Sequence, residues 1–174
     1  MKKLISAALI ASVTLLLGAC AGTKLDRLLF KGPELHPALS APSQTKTPRH
    51  ELAQIGVTQN PQHSTAPAFI KAVARLASRG QLTGQGIHSA LYAHYYADHN
   101  LELYGFAAES GSDADRIEQA LRLSWAEDIS LERARVYRDD RLLLVIWTDG
   151  ITAEVWQAVN SKVAERLIAT GWPK

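Results

Sequence analysis

Residues able to do chemistry concentrate in 87–100, IHSALYAHYYADHN. At helical spacing, His88, Tyr92, Tyr95 and His99 recur at intervals of four, three and four and so share a face. His94 and Asp98 stand one turn apart on the neighbouring face. A His and an Asp at i, i+4 can present two ligands to one metal ion. His94, Asp98 and His99 are therefore the candidate metal ligands, and His88, Tyr92 and Tyr95 a candidate binding face. No third ligand of matching geometry is visible, and the stretch by itself implies no cofactor. The structural reading is the stronger one: Tyr and His settle at a helix–sheet boundary with rings packed and polar tips wet.

Other chemistry is thinner. There is no G-x-S-x-G, P-loop, G-x-G-x-x-G, CxxC or EF-hand pattern. The one cysteine is Cys20. Ser110, Ser112, Ser124 and Ser130 fall at element ends, where caps are expected. The acid pairs Glu127-Asp128 and Asp139-Asp140 are sequence neighbours, whereas paired catalytic acids meet across a cleft. Asp149-Gly150 follows an apolar run and reads as a turn. Arg133, Arg135, Arg138 and Arg141 alternate around a polar turn, a pattern suited to guarding a sheet edge.

The first twenty residues carry an address. Lys2 and Lys3 precede an uncharged stretch, 4–17, that is too short to span a bilayer comfortably. Charge, apolar run and small residues in that order describe a secretory signal. The run ends Leu17-Gly18-Ala19-Cys20, which resembles the lipobox of bacterial lipoproteins. The resemblance implies that 1–19 are a signal peptide, that Cys20 becomes the acylated first residue, and that Ala21 after it directs the protein to the outer membrane of a Gram-negative host. Two or more acyl chains hold a protein firmly to a bilayer. A lone cysteine in an exported chain is otherwise unusual.

Cleavage before Cys20 leaves roughly 155 residues, one domain and a tail. The formal net charge of +2 departs with Lys2 and Lys3, so no basic stripe remains to release counterions from nucleic acid. Of the chain's 7 prolines, Pro33, Pro37, Pro42, Pro48 and Pro61 fall between Ala21 and Thr65. Proline this frequent argues against helices and central strands, and 20–65 read as a lipidated cysteine followed by a disordered tether reaching roughly 35–40 Å. Within it Leu25, Leu28, Leu29 and Phe30 make one short apolar cluster. Leu28, Leu29 and Phe30 are candidate docking contacts for a partner or bilayer; the alternative is a cluster folded back on its own domain.

The domain is expected at 66–174. A helix follows Pro67 with Phe69/Ile70, Val73 and Leu76/Ala77 on its inward stripe. A second runs from Thr83 to about His99, a strand covers 101–108, and a third helix starts at Ser112. Two strands, 131–137 and 142–147, pair as an antiparallel hairpin. A last helix is capped by Thr152. The order α-α-β-α-β-β-α predicts an α+β fold in which a three-stranded sheet packs with about four helices.

These features lead to an expected function: an envelope lipoprotein of the outer membrane whose domain faces the periplasm, acting as a non-enzymatic protein-binding or assembly module. Accessory subunits of secretion or conjugation machines and immunity proteins share this build. The alternative is a small periplasmic hydrolase, or a metal- or ligand-binding protein, using His94, His99 or Asp149.

Overall fold

The computed structural model describes residues 24–40, 49–126 and 133–172. The signal segment, the lipobox and Cys20 lie outside the described residues, as do Glu127, Asp128 and Ser130. The order is α1 (24–26), α2 (Gly32–Leu35), α3 (His50–Gln54), β1 (Gln62–Ser64), α4 (Pro67–Ala77), β2 (Ile87–Tyr96), β3 (Asn100–Ala108), α5 (Gly111–Ala126), β4 (Arg133–Asp139), β5 (Leu142–Thr148) and α6 (Ala153–Ala169). The five strands form one sheet in the order β1-β2-β3-β5-β4, antiparallel at every pairing. Among the described residues, no helix is long and apolar enough to cross a membrane.

This corrects the expected three-stranded sheet with four helices. The α+β class stands, but the sheet has five strands and the described chain has six helical segments. The largest difference is 87–96, a strand rather than a helix. Ala90 and Tyr92 face the front of the sheet; Leu91, Ala93 and Tyr95 face the back. Helices cover both faces, so both sets of side chains are apolar and the period-2 alternation that marks a half-exposed strand is erased. Strand β1 was hidden for the opposite reason. It is three polar residues at a sheet edge, preceded by Pro61, which only an edge tolerates.

The second correction concerns the tether. Leu25 and Leu28 are fully buried, and Phe30, Leu35 and Leu39 nearly so. They pack on the back face with Leu91, Tyr95, Leu101, Leu103 and the inner side of α6. Gly105 in β3 makes room for them. A Cβ there would come within 3.1 Å of Leu91 Cβ and 3.2 Å of Leu25 Cδ2, the close approach that glycine in a strand permits. The Tyr95 hydroxyl donates to the Phe30 carbonyl at 2.7 Å, and Ser40 exchanges backbone hydrogen bonds with Tyr96. The folded body therefore includes 24–40 and does not start near residue 66. Its proline-rich piece 41–48 lies outside the described residues.

Elements with strong local signals fall as expected. Helix α4 buries Phe69, Ile70, Val73, Ala74 and Ala77 on the front face. Leu101, Leu103 and Ala107 of β3 share the back face. Strands β4 and β5 pair antiparallel, with β4 at the sheet edge and Arg133 and Arg135 exposed along it. Thr152 caps α6 by accepting from Val155 N. The cap of α5 is Ser110, whose hydroxyl accepts from Asp113 N at 3.1 Å, and not Ser112.

Candidate functional site

The polar residues gather at one end of the sheet, where β2 turns into β3 and β5 ends. Its centre is Glu102. This carboxylate points to the front face between the apolar residues of β3 and is 1 % exposed. Arg49, just before α3, grips it with both arms: Nε to Oε1 at 2.7 Å and Nη2 to Oε2 at 2.9 Å. The Tyr92 hydroxyl donates to Oε1 at 3.3 Å, and the Tyr104 hydroxyl donates to Oε2. The Arg49 guanidinium also lies over the Trp147 ring, 5.4 Å from its centroid, a favourable cation–π placement. Two carboxylate oxygens have roughly four acceptor sites, and these four donors fill them. Burial first, then the charge of Glu102, pushes both phenols above the ordinary tyrosine range, so they stay protonated and remain donors. Arg49 is held charged chiefly by its hydrogen bonds to Glu102. The cluster ties the chain ahead of α3 to the middle of the sheet and leaves no lone pair of Glu102 for a substrate.

A second string runs beside it. Asp149 accepts from Asn100 N at 2.7 Å and from Asn100 Nδ2 at 2.5 Å. That fixes the amide so that Asn100 Oδ1 faces His94 Nε2 at 2.8 Å, which places the imidazole proton on Nε2. Asn60 brackets the same strand, pairing with both the N–H and the carbonyl of His94. His94 Nδ1 is buried with no partner among the described residues.

The sequence candidates separate on this frame. His94 is buried on the front face. Asp98 and His99 lie exposed in the β2–β3 turn, with His99 Nδ1 3.7 Å from Asp149 Oδ1. No group of three His, Cys, Asp or Glu side chains among the described residues is placed to hold a metal ion. The shared His88–Tyr92–Tyr95–His99 face dissolves once the segment is a strand. His88 is exposed, Tyr92 is buried in front, Tyr95 is buried behind and bonded to Phe30. Leu28 and Phe30 are core, with Leu29 partly buried beside them. Asp139 and Asp140 flank the β4–β5 turn, Asp139 paired with Lys24. Sequence reasoning missed Glu102 and Arg49. The available signal was a single acid, Glu102, between Leu101 and Leu103 in an otherwise apolar strand.

His94 sets a pH dependence. Burial pushes its imidazole below the ordinary value of about 6.5; the hydrogen bond to Asn100 and the charges of Glu102 and Asp149 oppose this, and Arg49 adds to it. The unfolded chain therefore takes up the proton more readily than the fold. The stability that His94 contributes is present above about pH 6.5 and declines as pH falls below it. His94→Gln is expected to remove that part of the acid loss, read as the change in urea midpoint between about pH 7.5 and pH 5 for wild type and variant.

A groove of about 700 Å³ lies between α3 and α4 on the front side. Ile55, Ala68, Ala72 and Leu76 line it with apolar surface, and Ile55 is 41 % exposed. Lys71, Arg75 and Arg79 stand along it against the single carboxylate of Glu51. The Arg79 guanidinium stacks on Trp125, 4.4 Å from its ring centroid. Comparison with protein-family models, with curated proteins and with solved structures finds no match for this chain.

Proposed function

We propose that this chain is a lipid-anchored envelope protein, attached through Cys20 at the outer membrane and facing the periplasm, that acts as a non-enzymatic docking or assembly module for another envelope protein. The observation that carries the reading is a contrast between two surfaces. The buried polar cluster is consumed internally, its carboxylate saturated by four donors. The groove between α3 and α4 instead leaves apolar surface and the Lys71 and Arg75 side chains open, as an interaction site does. The lipobox-like Leu17–Cys20 supports the anchor.

The early start of the body sharpens this reading. From Cys20 to Lys24 the chain reaches at most about 14 Å. Lys24 Nζ pairs with Asp139 Oδ2 at 3.2 Å, at the β4–β5 turn. An acylated Cys20 would therefore hold that turn close to the bilayer, with the β2–β3 turn at the far end of the sheet. The module works at the membrane surface and does not range on a long leash. The test is crosslinking in intact cells, detergent extraction and mass spectrometry, with wild type beside Cys20→Ala. A stoichiometric envelope protein recovered with wild type and lost with Cys20→Ala is the expected result; equal recovery from both, or none from either, contradicts the reading.

A further inference from the structure

We propose that the groove between α3 and α4 receives an acidic, amphipathic helical segment of the partner protein. This rests on the docking reading above and names the partner's chemistry. Helix α4 turns one face to the core and the other to the groove. Ala68, Ala72 and Leu76 recur at i, i+4 and i+8 and make a shallow apolar floor that Ile55, at the C-cap of α3, extends. Small residues at that spacing let another helix approach closely. Lys71 and Arg75 run parallel to the floor, also at i, i+4. Neither forms an ion pair with a carboxylate among the described residues, whereas Lys24, Arg49, Arg116, Arg122, Arg138 and Lys162 each do. Glu51 is the one carboxylate among the residues that line the groove.

An apolar floor bordered by Lys71 and Arg75 selects an occupant with apolar residues on one side and carboxylates flanking them. Helix α4 has 11 residues, about 16 Å at 1.5 Å per residue, so about three turns of a partner helix match its length. The groove lies on the front side, across the sheet from the segment 24–40 that packs on the back.

The experiment is site-specific photocrosslinking of the full chain in cells, with benzoylphenylalanine at position 68 in the groove or at position 157 on exposed α6. Crosslinked peptides are sequenced by mass spectrometry. The expected result is one protein adduct from position 68 that maps to an acidic segment with apolar residues at i, i+3 and i+4. Lys71→Glu with Arg75→Glu is expected to reduce it at least tenfold. Both side chains are exposed, and an unchanged thermal midpoint confirms that the variant folds; Ile55→Asp provides a second, independent loss. An adduct with phospholipid from position 68 overturns the proposal in favour of a membrane-facing groove. A protein adduct that maps to a basic or neutral segment, or that survives charge reversal, also overturns it. Adducts from position 157 alone remove the groove while leaving the docking function in place. Absence of adducts from both positions, with no protein recovered in the chemical crosslinking, removes both.

Discussion

Arg49→Leu is expected to destabilise the protein by about 3 kcal/mol, a fall in thermal midpoint of about 6–12 °C for a chain of this size. The substitution leaves the buried Glu102 carboxylate with two phenols and no cation. Breaking a buried pair by removing one partner costs more than the pair is worth, because a charge is stranded away from water. The figure is at the lower end of the roughly 3–5 kcal/mol for breaking a buried pair because the Arg49 side chain is 37 % exposed and partly screened by solvent. Glu102→Gln should cost less, about 1–2 kcal/mol. The amide still accepts from a tyrosine hydroxyl, and the Arg49 charge can turn to water. Replacing both residues with leucine should recover part of the loss, since two apolar groups strand nothing. Thermal or urea unfolding of the three variants checks the ranking. If Glu102→Gln proves the worst, the tyrosine hydrogen bonds and not the ion pair hold this end of the sheet.

The second large effect concerns the segment 24–40. Phe30→Ala is expected to cost about 3–5 kcal/mol, as for other buried aromatic truncations, and Leu28→Asp more, because it buries an unpaired charge. The Phe30 ring is 1 % exposed, with the Arg166 guanidinium 4.7 Å from its centroid. Arg166 Nη1 also donates to the Arg27 carbonyl at 3.0 Å, so α6 clasps this segment by packing and by a hydrogen bond. Side chains on a disordered tether would shift stability by no more than about 0.5 kcal/mol on substitution. Urea midpoints of the two variants therefore separate the alternatives cleanly.

The parts of the fold that could be read from residues alone were those with one wet face. Helix α4 shows Phe69, Val73 and Ala77 inward against Lys71 and Arg75 outward, and α6 announces itself with the Thr152 cap. The β4–β5 hairpin declares its turn at Asp139-Asp140. Strand β2 has no wet face along most of its length, so the intervals of His88, Tyr92, Tyr95 and His99 matched a helix without one being present. The segment 24–40 was misjudged because Pro33 and Pro37 were weighed as signs of disorder. Pro33 in fact lies within the first turn of α2, where its fixed φ suits the helix, and Leu25, Leu28, Phe30, Leu35 and Leu39 supply the apolar surface that ordering requires. The site was less legible still. Arg49 and Glu102 are 53 positions apart, and no local pattern links a proline-flanked arginine to an acid in a strand. Only the sheet, by turning Glu102 and Trp147 to the front together, brings them within reach.

The proposed function turns on an ordered segment 24–40 close to the proposed Cys20 anchor, so that docking happens at the bilayer surface. Hydrogen exchange of the full chain in detergent micelles measures it directly. The account predicts that the amides of Leu28, Leu39 and Ser40, bonded to the carbonyls of Leu25, His36 and Tyr96, exchange on the slow timescale of β3 and open only with the sheet. Complete exchange of these amides within seconds, with β3 still protected, would contradict it. The chain after Cys20 would then be a leash of tens of ångströms, and the partner would have to be sought across the whole envelope.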